Sequence, residues 1–233
     1  LLIGACSGTG LRWNSQLYRV DKNDTLYAIA WRYGLDYREL ARWNSIAAPY
    51  IIHPGQELIL IDPQRLPAHR RTESGSLSSG AKQQSQTRAA KAPQVAPPPA
   101  SSSVDAELPP PKAFQWPADG KVVATFQGNK SGSQGIDIQS NPGQPVLATA
   151  GGKVVYSGNG LNGYGNLVIV KHNDTYLSAY AHNSKLLVKE GDLVESGQQI
   201  AEIGMIDHST AGLHFEIRKQ GKPVDPLKYL PKR

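Results

Sequence analysis

Three side chains that could take part in acid–base or metal chemistry stand in short segments of the C-terminal half of the chain. They are Asp137 in GIDIQS, His182 in YLSAYAHN and His214 in LHFEIR. Carboxylate and imidazole groups are common zinc ligands, and imidazole is also the commonest general base. His214 follows Gly212 by two residues. A histidine in that setting can be a metal ligand, one member of a catalytic pair, or neither.

The segments that carry these residues have the pattern of short β-strands. Stretches rich in Val, Ile, Leu and Tyr are separated by Gly, Asn or Asp at roughly ten-residue spacing. Within LHFEIR, Phe215 and Ile217 face one way, whereas His214, Glu216 and Arg218 face the other. The segment KEGDLVESGQQIAEIG adds a turn–strand–turn–strand element of the kind found in biotinyl-like β folds. These features predict a mainly antiparallel β domain in the C-terminal part of the chain.

An N-terminal module has a different pattern, in the order strand, helix, helix, strand. LYRV is a short alternating segment, and NDTLYAIAWRYG is predicted to be a helix with Asp24 or Thr25 as its N-cap and Gly34 as its stop. In DYRELARWN, Asp36 and Glu39 have the spacing of a capping box for a second helix. HPGQELILI is a Pro-Gly turn that leads into a second strand. The module is therefore predicted to be a small α/β unit.

The 233-residue chain divides into three regions by composition. Residues 17–61 form the N-terminal module and residues 113–233 the β domain, whereas residues 62–112 are dominated by Ser, Ala, Pro, Gln and Gly. That middle region cannot bury enough apolar surface to fold and is predicted to be a disordered linker. No apolar run is long enough for a membrane helix. A net charge of +6 and a pI near 9.3 suit an anionic partner, either nucleic acid or a cell-wall polymer.

A single cysteine, Cys6, excludes an intramolecular disulfide and a cysteine-based zinc site. Residues 1–6, LLIGAC, have the character of the end of an apolar signal-peptide region whose start is missing. The IGAC sequence resembles a bacterial lipobox, which implies that Cys6 carries lipid and anchors the protein stably to a membrane. The alternative is a buried cysteine in a chance run of small residues.

The N-terminal module resembles the LysM domain through YRVDKNDTLYAIAWRYG, LARWN and IIHPGQELIL. The resemblance implies a βααβ fold that binds glycans containing N-acetylglucosamine, such as peptidoglycan. It places the sugar groove between two loops, whose residues are Asn23, Asp24, Thr25, Leu26, Asn44, Ser45 and Ile46. Alternatively, these residues only cap helices. Trp31 and Trp43 could stack on sugars, but aromatic residues on helices more often belong to the core.

The C-terminal domain resembles the LytM-type zinc peptidases of family M23, which implies a β fold of the duplicated hybrid motif type. Active members hold zinc with the His and Asp of a His-x-x-x-Asp segment and with the last His of a His-x-His strand. In this chain Asp137 and His214 remain as vestigial ligands, whereas Ser133 replaces the first ligand. Of the two catalytic histidines, His182 remains and Gly212 replaces the other. The resemblance therefore implies a domain without zinc, other cofactors or hydrolytic activity.

Neither of the other two histidines in the C-terminal domain is expected to restore both the missing zinc ligand and the missing catalytic histidine. His208, in the loop before the last long strand, could bend toward the cleft but would restore at most one of the two lost groups. His172, at the end of LVIVKH, is predicted to lie at the surface. The domain is then expected to keep an open groove as a binding surface, formed by Ser133, Asp137, His182, Gly212 and His214.

The complete order of lipobox, LysM module, linker and degenerate LytM domain resembles the NlpD lipoproteins. These are murein hydrolase activators of Gram-negative bacteria. The resemblance implies an outer-membrane protein facing the periplasm at the septum, with peptidoglycan and a periplasmic N-acetylmuramoyl-L-alanine amidase as partners and no role in nucleic-acid binding. Activation of the amidase would promote septal peptidoglycan splitting and daughter-cell separation. Two alternatives are an active zinc endopeptidase of family M23 and a tether between outer membrane and cell wall.

Overall fold

A computed structural model of the chain describes residues 17–63, 111, 113–128 and 133–233. Cys6, the remainder of residues 1–16 and nearly all of the predicted linker lie outside the described residues. The N-terminal module consists of strand β1 (Leu17–Arg19), helix α1 (Leu26–Tyr33), helix α2 (Tyr37–Trp43) and strand β2 (Glu57–Ile59). Strands β1 and β2 pair antiparallel, so the predicted βααβ order is confirmed.

Local capping fixes both helices. The Thr25 hydroxyl accepts a hydrogen bond from the Ala28 amide at 3.0 Å, which makes Thr25 the N-cap of α1. Gly34 ends that helix in the left-handed conformation, with φ of 64°. Asp36 caps α2, but Glu39 pairs with Arg42 rather than returning a bond to the cap, so the predicted capping box is incomplete. The helices thus start and stop where the sequence indicated.

The C-terminal domain is built from antiparallel strands and a short 3-10 helix, as predicted. The strands are β3 (Lys121–Ala124), β4 (Ile136–Gln139), β5 (Pro145–Leu147), β6 (Gly152–Gly158), β7 (Asn166–Lys171), β8 (Tyr176–Leu186), β9 (Leu193–Val194), β10 (Gln199–Met205), β11 (Ala211–Lys219) and β12 (Lys222–Val224), and the 3-10 helix is Pro226–Lys228. Across the described residues the main strand order is β3-β4-β11-β10-β8-β7-β6-β9, with β12 beside β11 and β5 beside β10. Strand β11 also pairs with β8, which makes it the centre of the domain.

One face of β11 belongs to the main hydrophobic core. Leu213, Phe215 and Ile217 are fully buried, and they share a cluster with Ile136 and Tyr180. This confirms the alternation expected from LHFEIR. Burial of each such side chain contributes about 1.5–3 kcal/mol to folding, so the apolar face also fixes the strand register.

On the opposite, polar face of β11, Arg218 is covered by the N-terminal module. Arg218 is 1% exposed, and its guanidinium carbon lies 3.6 Å from the centroid of the Trp31 ring. Arg218 Nη1 donates a hydrogen bond of 2.6 Å to the Trp31 carbonyl, and Nη2 donates one of 2.8 Å to Gln134 Oε1. Leu177 on β8 joins the apolar cluster of the module. Trp31 is therefore an interface residue, 4% exposed, and is not available to stack on a sugar.

His172 is also buried, contrary to the prediction that it lies at the surface. It is 1% exposed, and its ring centre lies 5.5 Å from that of Phe114. Its Nδ1 lies 2.9 Å from the Gly151 carbonyl oxygen and its Nε2 lies 2.8 Å from Ser178 Oγ. Both ring nitrogens thus have partners inside the protein, which compensates for their loss of water.

The buried His172 should make the fold sensitive to acid. Burial lowers the pKa of His172 from 6.5 to about 4, so between these values the unfolded chain binds a proton that the folded chain does not. Stability from this group is complete above pH 6.5 and falls with pH, by on the order of 3 kcal/mol at pH 4. We expect urea unfolding of His172→Gln to give a flatter pH profile between pH 7.5 and 5 than the wild type. Parallel profiles would contradict this assignment.

Candidate functional site

The candidate site lies where β4, β8 and β11 run side by side. His214 on β11 stands directly opposite Asp137 on β4, and its other neighbour is Ala181 on β8. The Nδ1 atom of His214 lies 2.6 Å from Asp137 Oδ1, and its Nε2 atom lies 3.2 Å from Glu216 Oε1. Both ring nitrogens of His214 are therefore held by carboxylates.

Glu216 connects this histidine to the interior. It is 1% exposed, and its Oε2 accepts two hydrogen bonds of 3.1 Å from Arg218 Nε and Nη2. Its Oε1 accepts a hydrogen bond of 2.9 Å from the Tyr164 hydroxyl. Burial would raise the pKa of Glu216, but the bond to His214 and the charge of Arg218 lower it. Glu216 is thus an ionised carboxylate with all its partners supplied by the chain.

The same contacts determine the charge of His214. Burial alone would lower the pKa of His214, but hydrogen bonds to Asp137 and Glu216 raise it to about 9. At neutral pH the ring is then an imidazolium that donates from both nitrogens. A histidine ligates a metal through the lone pair of a neutral ring, so a metal would have to displace a proton from His214 to bind there.

The two substituted positions also fail to fit a zinc ion. Ser133 Oγ donates its hydrogen bond to the Gly135 carbonyl at 2.9 Å, and a serine hydroxyl is a poor zinc ligand. A Cβ atom built at Gly212 would lie 2.4 Å from the Ile138 carbonyl oxygen, so the backbone leaves no room for a histidine there. Within the described part of the chain, no group of three or more His, Cys, Asp or Glu side chains is placed to hold a metal ion. The residues present therefore do not fit the zinc that the M23 fold implies.

A groove of about 220 Å³ remains beside these residues. It is lined by Ser133, Gln134, Gly163, Tyr164, His182, His214 and Glu216. His182 has a φ of 63°, and its ring centre lies 6.2 Å from that of His214. Of the predicted groove residues, Asp137 supports His214 and Gly212 is packed against Ile138 and Ile206, so neither is a lining residue. His208 is exposed on the turn before β11 and does not line the groove.

Four groove residues were not identified from the sequence, namely Gln134, Gly163, Tyr164 and Glu216. Glu216 could have been found, since strand alternation places it on the same face as His214. Gln134 and Tyr164 lie in loops that reach the site through the tertiary fold, and no local pattern marks them.

The predicted glycan-binding residues have different environments. Asn23 is exposed with a φ of 71°, as the left-handed tolerance of Asn allows, and Ser45 is also exposed. Leu26 is 1% exposed and belongs to the core. The Asn44 side chain donates to the Leu40 and Ile59 carbonyls and accepts from the Ile59 amide, so it braces α2 against β2. The remaining predicted positions are Asp24, Thr25 and Ile46, each partly buried.

The fold defines a two-domain protein with a LysM domain and a domain of the M23 peptidase type. Residues 18–60 match the LysM domain and residues 131–226 match Peptidase family M23. The murein hydrolase activator NlpD of Salmonella dublin is 40% identical over 257 residues, covering 93% of this chain and 68% of the relative. The chain therefore belongs to the NlpD family of murein hydrolase activators.

Two further relatives carry lipoprotein names. The lipoprotein NlpD/LppB homolog of Pseudomonas aeruginosa is 44% identical over 236 residues, which cover 93% of this chain and 77% of the relative. The uncharacterized lipoprotein YgeR of Escherichia coli is 39% identical over 236 residues, which cover 99% of this chain and 89% of the relative. None of the helices in the described residues is both long and apolar enough to span a bilayer.

Proposed function

We propose that the protein is a non-catalytic activator of a periplasmic N-acetylmuramoyl-L-alanine amidase. The observation that carries this proposal is an open groove beside His214, whose two ring nitrogens are held by Asp137 and Glu216. The groove still presents polar side chains from Ser133, Tyr164 and His182. Related proteins bear the name murein hydrolase activator, which supports a role in switching on another enzyme. The outcome is splitting of septal peptidoglycan and separation of daughter cells.

The groove acts by selective binding to one state of the amidase. An amidase whose zinc is covered by its own segment exists in closed and open states. A surface that binds the open state more tightly shifts the population toward it, by no more than the difference in affinity. Asp137 and Gly212 serve this surface indirectly, because Asp137 orients His214 and Gly212 allows β4 and β11 to approach closely.

The other parts of the chain concentrate the activator between the outer membrane and the peptidoglycan. Lipid on Cys6 holds the protein at the outer membrane, facing the periplasm, and the LysM domain binds peptidoglycan. A linker over residues 62–112 lets both attachments act together. Such multivalent attachment raises the local concentration without adding contacts to the amidase.

Dye release from labelled peptidoglycan tests the proposed function. Residues 7–233 are mixed with peptidoglycan, alone and with a periplasmic amidase from the same organism. We expect no release by the chain alone and strong release with the amidase. The whole of residues 7–233 is used because the isolated C-terminal domain would expose Leu177 and Arg218, which the LysM domain covers.

Each alternative outcome has a distinct meaning. Release by the chain alone that a chelator abolishes would identify a zinc endopeptidase. No release in either mixture would contradict the activator role. If chains without residues 113–233 also support normal division, the protein is a tether instead.

His182 provides a test of the groove itself. We expect His182→Asn to reduce amidase stimulation about 5- to 10-fold at limiting activator, the equivalent of one lost hydrogen bond to a polar partner. Asparagine is chosen because it tolerates the positive φ of 63° at this position. The matched control is His208→Asn, on an exposed turn outside the groove, and it should stimulate normally. Equal stimulation by both variants would place the amidase contact elsewhere.

A further inference from the structure

A polar cleft lies where the LysM domain meets the C-terminal domain. It has a volume of about 550 Å³, within the range of sites that hold small molecules or parts of a polymer. One wall is the loop at residues 21–25 with Arg32, and the other wall is residues 156–160 with Glu190. This cleft is separate from the groove beside His214, since the two share no lining residue.

Hydrogen bonds between the domains fix the two walls relative to each other. The Thr25 hydroxyl donates to the Val155 carbonyl at 3.2 Å, and Arg32 Nη2 donates to the Gly160 carbonyl at 3.3 Å. The Gly160 amide in turn donates to the Tyr156 hydroxyl at 2.8 Å. The base of the cleft is therefore organised by paired groups, and its rim is left open for a ligand.

The rim carries side chains suited to a neutral, polar ligand. The carboxamides of Asn23 and Asn159 are exposed, and neither hydrogen-bonds another described residue. Glu190 is exposed and makes no ion pair with the described residues. A carboxamide both donates and accepts, and a carboxylate accepts, which matches the hydroxyl and acetamide groups of N-acetylated sugars.

The charges of the cleft disfavour a polyanion. Its lining includes three carboxylates, on Asp21, Asp24 and Glu190, against two cations, on Lys22 and Arg32. Arg32 is moreover engaged with the Tyr18 hydroxyl at 2.7 Å and pairs with Asp24 at 3.6 Å. A nucleic acid would meet net negative charge here.

We propose that an N-acetylated glycan strand binds in this cleft and contacts both domains at once. The proposal rests on the peptidoglycan binding proposed above, and it adds a second wall, Asn159 and Glu190, contributed by the C-terminal domain. A glycan held in this way bridges the domains and stabilises their docked arrangement. Glycan affinity then belongs to the pair of domains and is not a property of the LysM domain alone.

Calorimetric titration of residues 7–233 with chitotetraose tests the cleft. We expect Asn159→Ala and Glu190→Gln each to weaken binding at least 3-fold and the double variant at least 10-fold, as for loss of one and two hydrogen bonds. The matched control is Asn141→Ala, an exposed asparagine near the opposite end of the strand order, which should bind as the wild type does.

Two results would overturn the proposal that a glycan binds in this polar cleft. One is wild-type affinity in the double variant, and the other is failure of the wild type to bind chitotetraose. These results are distinct from failure of the activator role, which would appear as absent amidase stimulation by the wild type in the dye-release assay. Either proposal can thus fail while the other stands.

Discussion

Replacing Arg218 by methionine is expected to destabilise the protein by about 3–5 kcal/mol. Arg218 is the buried cation that donates to Glu216 Oε2, and its removal would leave that buried oxygen without a donor, while His214 and Tyr164 stay on Oε1. The Trp31 carbonyl and Gln134 would lose hydrogen-bond donors at the same time. Methionine keeps most of the packing volume, so the loss in free energy of unfolding reports on charge and hydrogen bonding. Urea unfolding monitored by tryptophan fluorescence measures the effect.

A double variant separates the ion pair from the domain contact. Adding Glu216→Gln to Arg218→Met removes the stranded charge, so part of the lost stability should return. The part that does not return reports the contact with Trp31. A loss below about 1 kcal/mol in Arg218→Met, the range of exposed ion pairs, would show that Arg218 is not buried between the domains in solution.

Placing a side chain at Gly212 is the second change with a large expected effect. A Cβ atom there would lie 2.4 Å from the Ile138 carbonyl oxygen and 2.6 Å from Ile206 Cδ1. The carbonyl belongs to the neighbouring strand and cannot move without separating β4 from β11. We therefore expect Gly212→Ala to cost about 2–3 kcal/mol in unfolding free energy, and Gly212→His to cost more.

Gly151 supplies the control for that substitution. A Cβ atom at Gly151 would have its nearest neighbour at 3.5 Å, an ordinary contact, so Gly151→Ala should change stability little. Equal losses in Gly151→Ala and Gly212→Ala would contradict the close approach of β4 and β11. The same crowding means that Ser133→His combined with Gly212→His should not rebuild a zinc site, which metal analysis of the purified variant would check.

Much of the fold follows from local sequence patterns. Alternation in LHFEIR identified the buried face of β11, and the choice of Asp24 or Thr25, with Gly34, marked the ends of α1, because strand periodicity and helix caps are short-range properties. Motif spacing also singled out Asp137 and His214, which the structure brings together at 2.6 Å.

The remaining features depend on contacts between distant parts of the chain. The burial of His172 arises from Gly151 and Ser178, and that of Arg218 from Trp31, and no local pattern encodes either contact. The polar face of β11 would be solvated in an isolated sheet. The LysM domain covers Arg218 on this face, and the same docking brings together the two walls of the polar cleft.

The contact between Trp31 and Arg218 has a consequence for how such proteins can diversify. Each residue belongs to a different domain, yet the 3.6 Å separation of ring centroid and guanidinium carbon requires both. A LysM domain taken from a relative that lacks the tryptophan would leave Arg218 without the ring that covers it. Chimeras should therefore be viable when both halves of the interface are transferred together. The two domains are modular in sequence, but at this surface each depends on a residue of the other.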